Sequence, residues 1–350
     1  MTEHLFRGND KKMNFSQSSR NENESECKSF LFKTATMQYS STDSFYGLLV
    51  AAAVVNLATC PSTIFLNALV MVAVKAKRRL QTHPNILLAC MALTDLMVGL
   101  VVQPLHVAKT IFILQAGKDA HEFCNIDLAF AVSLFIFSFG TNCHLLLISG
   151  ERYLAIKHTF THAKVITRAR LILSSAVTWI ATMVFLLVTR YLVVFFFICG
   201  AIVQSSIFLL HILVYKEARR QKKQILSQQV SMEARAKFNQ DMKALKLTSI
   251  ILMTLFICCL SPLIFVFVTW LLFSEAIPPH AKTLVPHFAL LPVLITSFLN
   301  PVIYSVRKKE FRVAFIELLL RKSLQDAEEF NRRLFGSRNN TVRQQIGQEG

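Results

Sequence analysis

Apolar residues occupy the chain in long runs, and polar residues gather in the gaps between them. Each run is long enough to cross a bilayer core, which takes about 20 helical residues. The runs fall at Tyr46–Val74, Pro84–Val107, Phe123–Ile156, Ala169–Val188, Tyr191–Tyr215, Lys246–Phe273 and Ala281–Ser305, and so predict seven spans. The fourth and fifth are nearly continuous. A single span of their combined length would overshoot any bilayer, so the polar Thr189-Arg190-Tyr191 between them is read as a tight hairpin turn.

A different pattern follows the last run. From Val306 to about Leu320, Phe311, Phe315, Ile316 and Leu319 fall at helical spacing opposite Arg and Lys, which predicts an amphipathic helix on the membrane surface. The expected organisation is a polar, disordered N-terminal segment (1–45), a seven-helix bundle (46–305), the surface helix (306–322) and a polar tail (323–350). The fold class is an all-α membrane protein. No apolar core of signal-peptide type is expected before the first span.

Composition agrees with this reading. Of 350 residues 53% are hydrophobic and 17% charged, with a mean hydropathy of +0.45, which is too apolar for a soluble chain of this size. The net charge of +17 would suggest nucleic acid in a soluble protein, but its distribution records topology instead. Lys75, Lys77, Arg78 and Arg79, then Lys157, Lys164, Arg168 and Arg170, then the segment from Lys216 to Lys246 all follow odd-numbered spans. The even-numbered turns carry little more than Lys109, Lys118, Arg190 and Lys282. The positive-inside rule therefore places the N-terminus outside and the C-terminus inside, in a multi-pass protein. The glycosylation sequons at Asn14 and Asn23 then fall on the correct side.

Polar groups inside the spans carry the chemistry, because hydrocarbon makes them costly. Asn67 lies in the first span and Asp95 in the second; Thr141, Asn142 and His144 interrupt the third, and Thr296, Ser297, Asn300 and Pro301 the seventh. Two readings of Asp95 stay open. It is a buried carboxylate satisfied by Asn and Ser neighbours, or it also binds a sodium ion with Thr141, Ser297 and Asn300 as oxygen ligands. The third span ends in Glu151-Arg152, two charges that must hold each other at the membrane rim. Pro262 and Pro301 remove helix hydrogen bonds and predict kinks.

The eight cysteines show no CxxC pair and no His/Cys cluster of zinc spacing, so neither a metal beyond sodium nor a cofactor is expected. No catalytic constellation is visible, which argues against an enzyme, and no internal repeat favours a transporter, the competing class.

Taken together, Asn67, Leu93-Thr94-Asp95-Leu96, Glu151-Arg152-Tyr153, Trp179, Tyr215, Phe256-x-x-Cys259-x-x-Pro262 and Asn300-Pro301-x-x-Tyr304 resemble the rhodopsin-like G-protein-coupled receptors over roughly Tyr46–Leu320. The resemblance implies a plasma-membrane receptor for an extracellular ligand, coupled to a heterotrimeric G protein through outward movement of the sixth helix. It implies that Arg152 is restrained by Glu151 and later met by the hydroxyls of Tyr215 and Tyr304. The membrane-proximal ends of Lys216–Lys246 become a docking surface for the G protein. A signalling-silent member of the fold is the rival within it.

The chain departs from the family pattern at its trigger. Leu260 stands where relatives carry Trp before Pro262, so the toggle is absent or replaced by Phe256, and Ile207 stands in place of the fifth-helix proline. Leu134 replaces the aspartate of amine receptors and Leu294 the retinal-binding lysine of opsins, which disfavours both ligands. The resemblance implies a pocket lined by Leu134, Phe137, Leu263, Phe267, Leu290 and Leu294, with Asp127 near its mouth. For Cys124 it implies an outside disulfide partner, and Cys27 is the one hypothesised.

Overall fold

The computed structural model describes residues 43–115, 120–189, 193–227 and 279–346. They form helices α1 (Asp43–Ala76), α2 (His83–Met97), α3 (Gln103–Leu114), α4 (Ala120–Lys157), α5 (Thr159–Val165), α6 (Arg168–Thr189), α7 (Val193–Ser227), α8 (Pro279–Arg307), α9 (Lys309–Leu320) and α10 (Leu324–Ile346). No strand occurs among the described residues. The predicted sixth span, Lys246–Phe273, lies outside them, and with it Phe256, Cys259, Leu260, Pro262, Leu263 and Phe267.

Among the described residues, five stretches are long and apolar enough to cross a membrane: Gly47–Ala76, His83–Leu114, Asn125–Lys157, Arg168–Leu187 and Ile198–Gln221. The apolar part of α8, Leu291–Arg307, is shorter. Side chains such as Leu57, Phe65, Ile172, Ile180 and Ile202 are exposed on the outside of the bundle, as membrane-facing positions require. The core lies between α1, α2, α4 and α8, where Leu69, Val70, Leu87, Met91, Leu145 and Tyr304 pack together. Basic residues concentrate at one end of the bundle, at Lys75, Lys77, Arg79, Lys157, Arg168, Arg170 and Arg307.

The second predicted span is interrupted. After α2, which starts with Pro84 in its first turn, Val98–Val102 form a single π-helical turn before α3 begins. Such a turn opens the hydrogen-bond ladder, and the Cys60 thiol of α1 donates to the Gly99 carbonyl at 3.2 Å. Gly99 also lets the two helices approach. A Cβ there would stand 2.9 Å from Ile64 Cγ1 and 3.3 Å from the Ile64 backbone nitrogen.

α9 takes the amphipathic form read from its sequence. Phe311, Val313, Ala314 and Phe315 are buried, the first of these against Tyr304. Leu319 is exposed, however, while the carboxylate of Glu317 turns inwards to pair with Lys77 and Arg79 after α1. The tail, expected only to be polar, continues as α10. Ser323 and Asp326 cap its start, with Asp326 N–H donating to Ser323 Oγ at 3.2 Å, and Arg312 Nε donates to Asn331 Oδ1 at 2.9 Å.

Candidate functional site

Asp95 is the polar centre of the bundle. It is fully buried on α2, and both carboxylate oxygens accept bonds from α8: Ser297 Oγ donates to Oδ1 and Asn300 Nδ2 to Oδ2, each at 2.8 Å. Asn67 Nδ2 of α1 donates to the Ser297 carbonyl at 3.0 Å and to the Thr63 carbonyl at 2.9 Å. The carboxylate thus ties α2 to α8, and α1 joins the same centre through the Ser297 carbonyl, so that each costly buried polar group is met by a partner on a neighbouring helix.

Beside this centre lies a cavity of about 20 Å³, lined by Asp95, Val98, Leu134, Ser138, Thr141, Val293, Leu294, Thr296 and Ser297. That volume suits one water-sized occupant. The lining offers the carboxylate and hydroxyl oxygens that hard cations take. Asn300 Oδ1 is buried without a hydrogen-bond partner, so a further oxygen is available nearby. The residues therefore fit a small hard cation. Leu134 and Leu294, read from the sequence as ligand-pocket residues, form the apolar part of the same cavity.

A second set of polar residues ties the helices at mid-height. His144 of α4 bonds the Gly140 carbonyl through Nδ1 at 2.8 Å and Ser175 Oγ of α6 through Nε2 at 2.7 Å. The Trp179 ring meets both His144 and Phe137 edge-on, at 6.2 and 5.9 Å between centroids. Gln204 Nε2 of α7 donates to Asn142 Oδ1 at 2.9 Å. His144 therefore ties α4 to α6, as Asn142 ties it to α7, while Thr141 lines the cavity beside Asp95.

At the basic end, Arg152 Nε stands 3.2 Å from Glu151 Oε2. Both residues are shielded, Arg152 at 13% side-chain exposure and Glu151 at 3%. The contact lacks the alignment of a hydrogen bond. Glu151 Oε1 lies 3.0 Å from His162 Nε2 on α5, a partner that sequence spacing does not suggest. Lys308 Nζ, between α8 and α9, donates to Asn85 Oδ1 at 2.7 Å. Burial, with the charge of Arg152 adding to it, pushes the Lys308 ammonium down to about 8 against the pull of Glu310 and Glu151.

The two tyrosines implied as later partners of Arg152 stand in different surroundings. Tyr304 is fully buried beneath Phe311 and its hydroxyl has no hydrogen-bond partner, so it does not bond Arg152 here. Tyr215 is 59% exposed. The reason is helical phase: Val214 and Ala218 are the buried residues of α7 that pack on Tyr153 and Ile156, and Tyr215, the next position after Val214, is carried round to the outer face. Tyr153 accepts a bond from Lys157 Nζ at 2.7 Å.

At the opposite end, Asp127 is buried and ion-paired with Lys109 of α3, whose ammonium lies 5.2 Å from the centroid of the Phe130 ring. Near it Asn56 Nδ2 of α1 and His106 Nδ1 stand 3.1 Å apart, both fully buried. Neither Asn56 nor His106 was singled out from the sequence. The signal for them was a polar residue inside an apolar run. Leu290 lies in α8, but its side chain, like those of Cys124, Cys27, Asn14 and Asn23, falls outside the described residues.

The family described as 7 transmembrane receptor (rhodopsin family) matches residues 66–192. The chain is similar to the 5-hydroxytryptamine receptor 2B of Dichotomyctere fluviatilis, at 35% identity over 114 residues, 33% of this chain and 23% of the relative. It is similar to the Trissin receptor of Drosophila melanogaster, at 32% identity over 128 residues, 35% of this chain and 17% of the relative. The adenosine receptor A3 of Bos taurus is 30% identical over 116 residues, 33% of this chain and 34% of that receptor. The match spans about a quarter of the serotonin receptor's length. These relatives are receptors, not enzymes.

Proposed function

We propose, on the premise of the family match over residues 66–192, that the chain is a rhodopsin-like G-protein-coupled receptor, passing the binding of an extracellular ligand to a heterotrimeric G protein. The observation that carries this reading is the shielded Glu151–Arg152 pair at the basic end of α4, near the half-buried Lys308. A guanidinium held by a neighbouring carboxylate without an aligned hydrogen bond keeps N–H donors with which to meet an incoming partner. The basic end faces the cytoplasm by the positive-inside rule, with the N-terminus outside and the protein at the plasma membrane.

In this reading the ligand arrives from the opposite end, and the signal reaches Arg152 through outward movement of the sixth helix about Pro262, aided by Pro301 in α8. The Asp95 centre couples the two ends, since α2 and α8 share one carboxylate through Ser297 and Asn300 and α1 holds the Ser297 carbonyl through Asn67. A sodium ion at Asp95, with oxygens of Thr141, Ser297 and Asn300, would supply a positive charge that steadies the resting packing. The ligand class does not come from the relatives, whose names give 5-hydroxytryptamine, trissin and adenosine. Leu134 offers an amine no carboxylate, and with Leu294 it is buried in the wall of the Asp95 cavity.

The test is nucleotide exchange on co-expressed G proteins, with the chain compared against Arg152→Ala over a ligand screen. Exchange that Arg152→Ala abolishes supports the receptor. Silence across every G protein and ligand favours a signalling-silent member of the fold, and ligand-driven solute flux a transporter.

A further inference from the structure

We infer that His83, Glu151 and His162 form a binding site for a transition-metal ion of the zinc class, joining the start of α2 to α5 at the basic end of the bundle. One ligand atom of each residue lies within 4.8 Å of the other two. His162 Nε2 and Glu151 Oε1 are 3.0 Å apart, close to the ligand–ligand edge of roughly 3.3 Å that bonds of about 2.0 Å give a tetrahedral zinc centre. The rings of His83 and His162 are steeply inclined to one another, 5.7 Å between centroids, so both imidazoles stand in the same cluster as the carboxylate.

The chemistry of the set is selective. Two imidazoles and one carboxylate suit zinc and its neighbours, whereas magnesium and calcium take oxygen ligands alone. Three protein ligands leave a fourth position for water. The two oxygens of Glu151 face different partners, Oε1 towards His162 and Oε2 towards Arg152, so a metal on Oε1 leaves the arginine contact in place.

A plain hydrogen bond from His162 to Glu151 accounts for one histidine, but not for the second imidazole in the same cluster. α5 needs such an anchor. It is a helix of seven residues between α4 and α6, with Phe160 at 91% exposure, so apolar packing contributes little to its position. The ligands come from three separate segments, which is why a search for local zinc spacing along the sequence finds nothing.

Zinc titration of the purified full chain, stripped with a chelator and held in detergent with a chromophoric competitor, tests the site. One zinc per chain is expected. His83→Ala and His162→Ala should each weaken it at least about tenfold, while His158→Ala, in the same loop, leaves it unchanged. Cobalt bound to the unmodified chain should show the visible absorption of four-coordinate geometry, a readout that needs no variant to fold. The inference is overturned if the unmodified chain binds no zinc, if binding survives the double histidine variant or follows His158, or if cobalt shows only six-coordinate absorption. Because the readout is metal binding, failure here leaves the receptor reading untouched.

Discussion

Asn300 donates to Asp95 at 2.8 Å, joining α8 to α2 one residue before the proline that breaks the α8 ladder. Removing the carboxylate strands both this amide and the Ser297 hydroxyl in a buried setting. Asp95→Ala is therefore expected to lose about 1–3 kcal/mol of stability, seen as a lower melting temperature of the purified protein in detergent. Asp95→Asn keeps shape and acceptor and should lose less. Equal melting of all three proteins would remove Asp95 from its place as the tie.

Gly99 is packed on α1 where a side chain has no room. Gly99→Ala must push Ile64 or open the α1 contact, at a cost of about 1–3 kcal/mol. Thermal unfolding in detergent checks this. A neutral substitution would mean that the π turn relaxes freely.

Glu317 gives a dependence on pH. Its burial alone would raise the carboxyl, but the bonds and charges of Lys77 and Arg79 outweigh that and hold it below its ordinary value. A depressed carboxylate stabilises the fold above its unfolded value, near 4.5, and loses that contribution as pH falls through the folded one. The stability gap between the unmodified chain and Glu317→Gln should be full at pH 7 and close on acidification below about 4.5. Melting curves at stepped pH read it directly, and a gap that stayed constant would show that the charge is irrelevant.

Glu151→Gln removes the negative charge beside Arg152. Basal nucleotide exchange is expected to rise several-fold over the unmodified chain, since the guanidinium is no longer restrained. Unchanged or lower exchange at equal surface expression would count against Glu151 as the restraint.

Much of the bundle was readable because hydrophobic length alone marks a span. Phe123–Ile156 became Ala120–Lys157 and Ala169–Val188 became Arg168–Thr189, shifts of a few residues at frayed ends. The fifth span was read to Tyr215 where the apolar run stops, yet α7 continues to Ser227. The added Lys, Arg, Glu and Gln are good helix formers that need no hydrocarbon. The continuation into α10 was signalled by Ser323 and Asp326, a capping pair hidden in a tail judged by polarity.

The site was legible in part. Asn67, Asp95, Ser297 and Asn300 come together as their polarity inside apolar runs suggested, and Thr141 lines the cavity beside them. Partners across long sequence gaps were not legible. Nothing local in the chain says that Glu317 meets Lys77, that Lys308 meets Asn85, or that His162 meets Glu151.

The π turn at Val98–Val102 has a consequence for anyone counting along this helix. Its extra residue advances the helix by about 100° of rotation, so a wheel drawn outward from Asp95 is out of phase once it passes Val102. Gln103, His106 and Thr110 then turn inwards together, and all are fully buried. Alignment of this span's outer half to a relative without the insertion would pair inward positions with lipid-facing ones. Comparisons of ligand-facing residues therefore need separate registers on either side of Gly99.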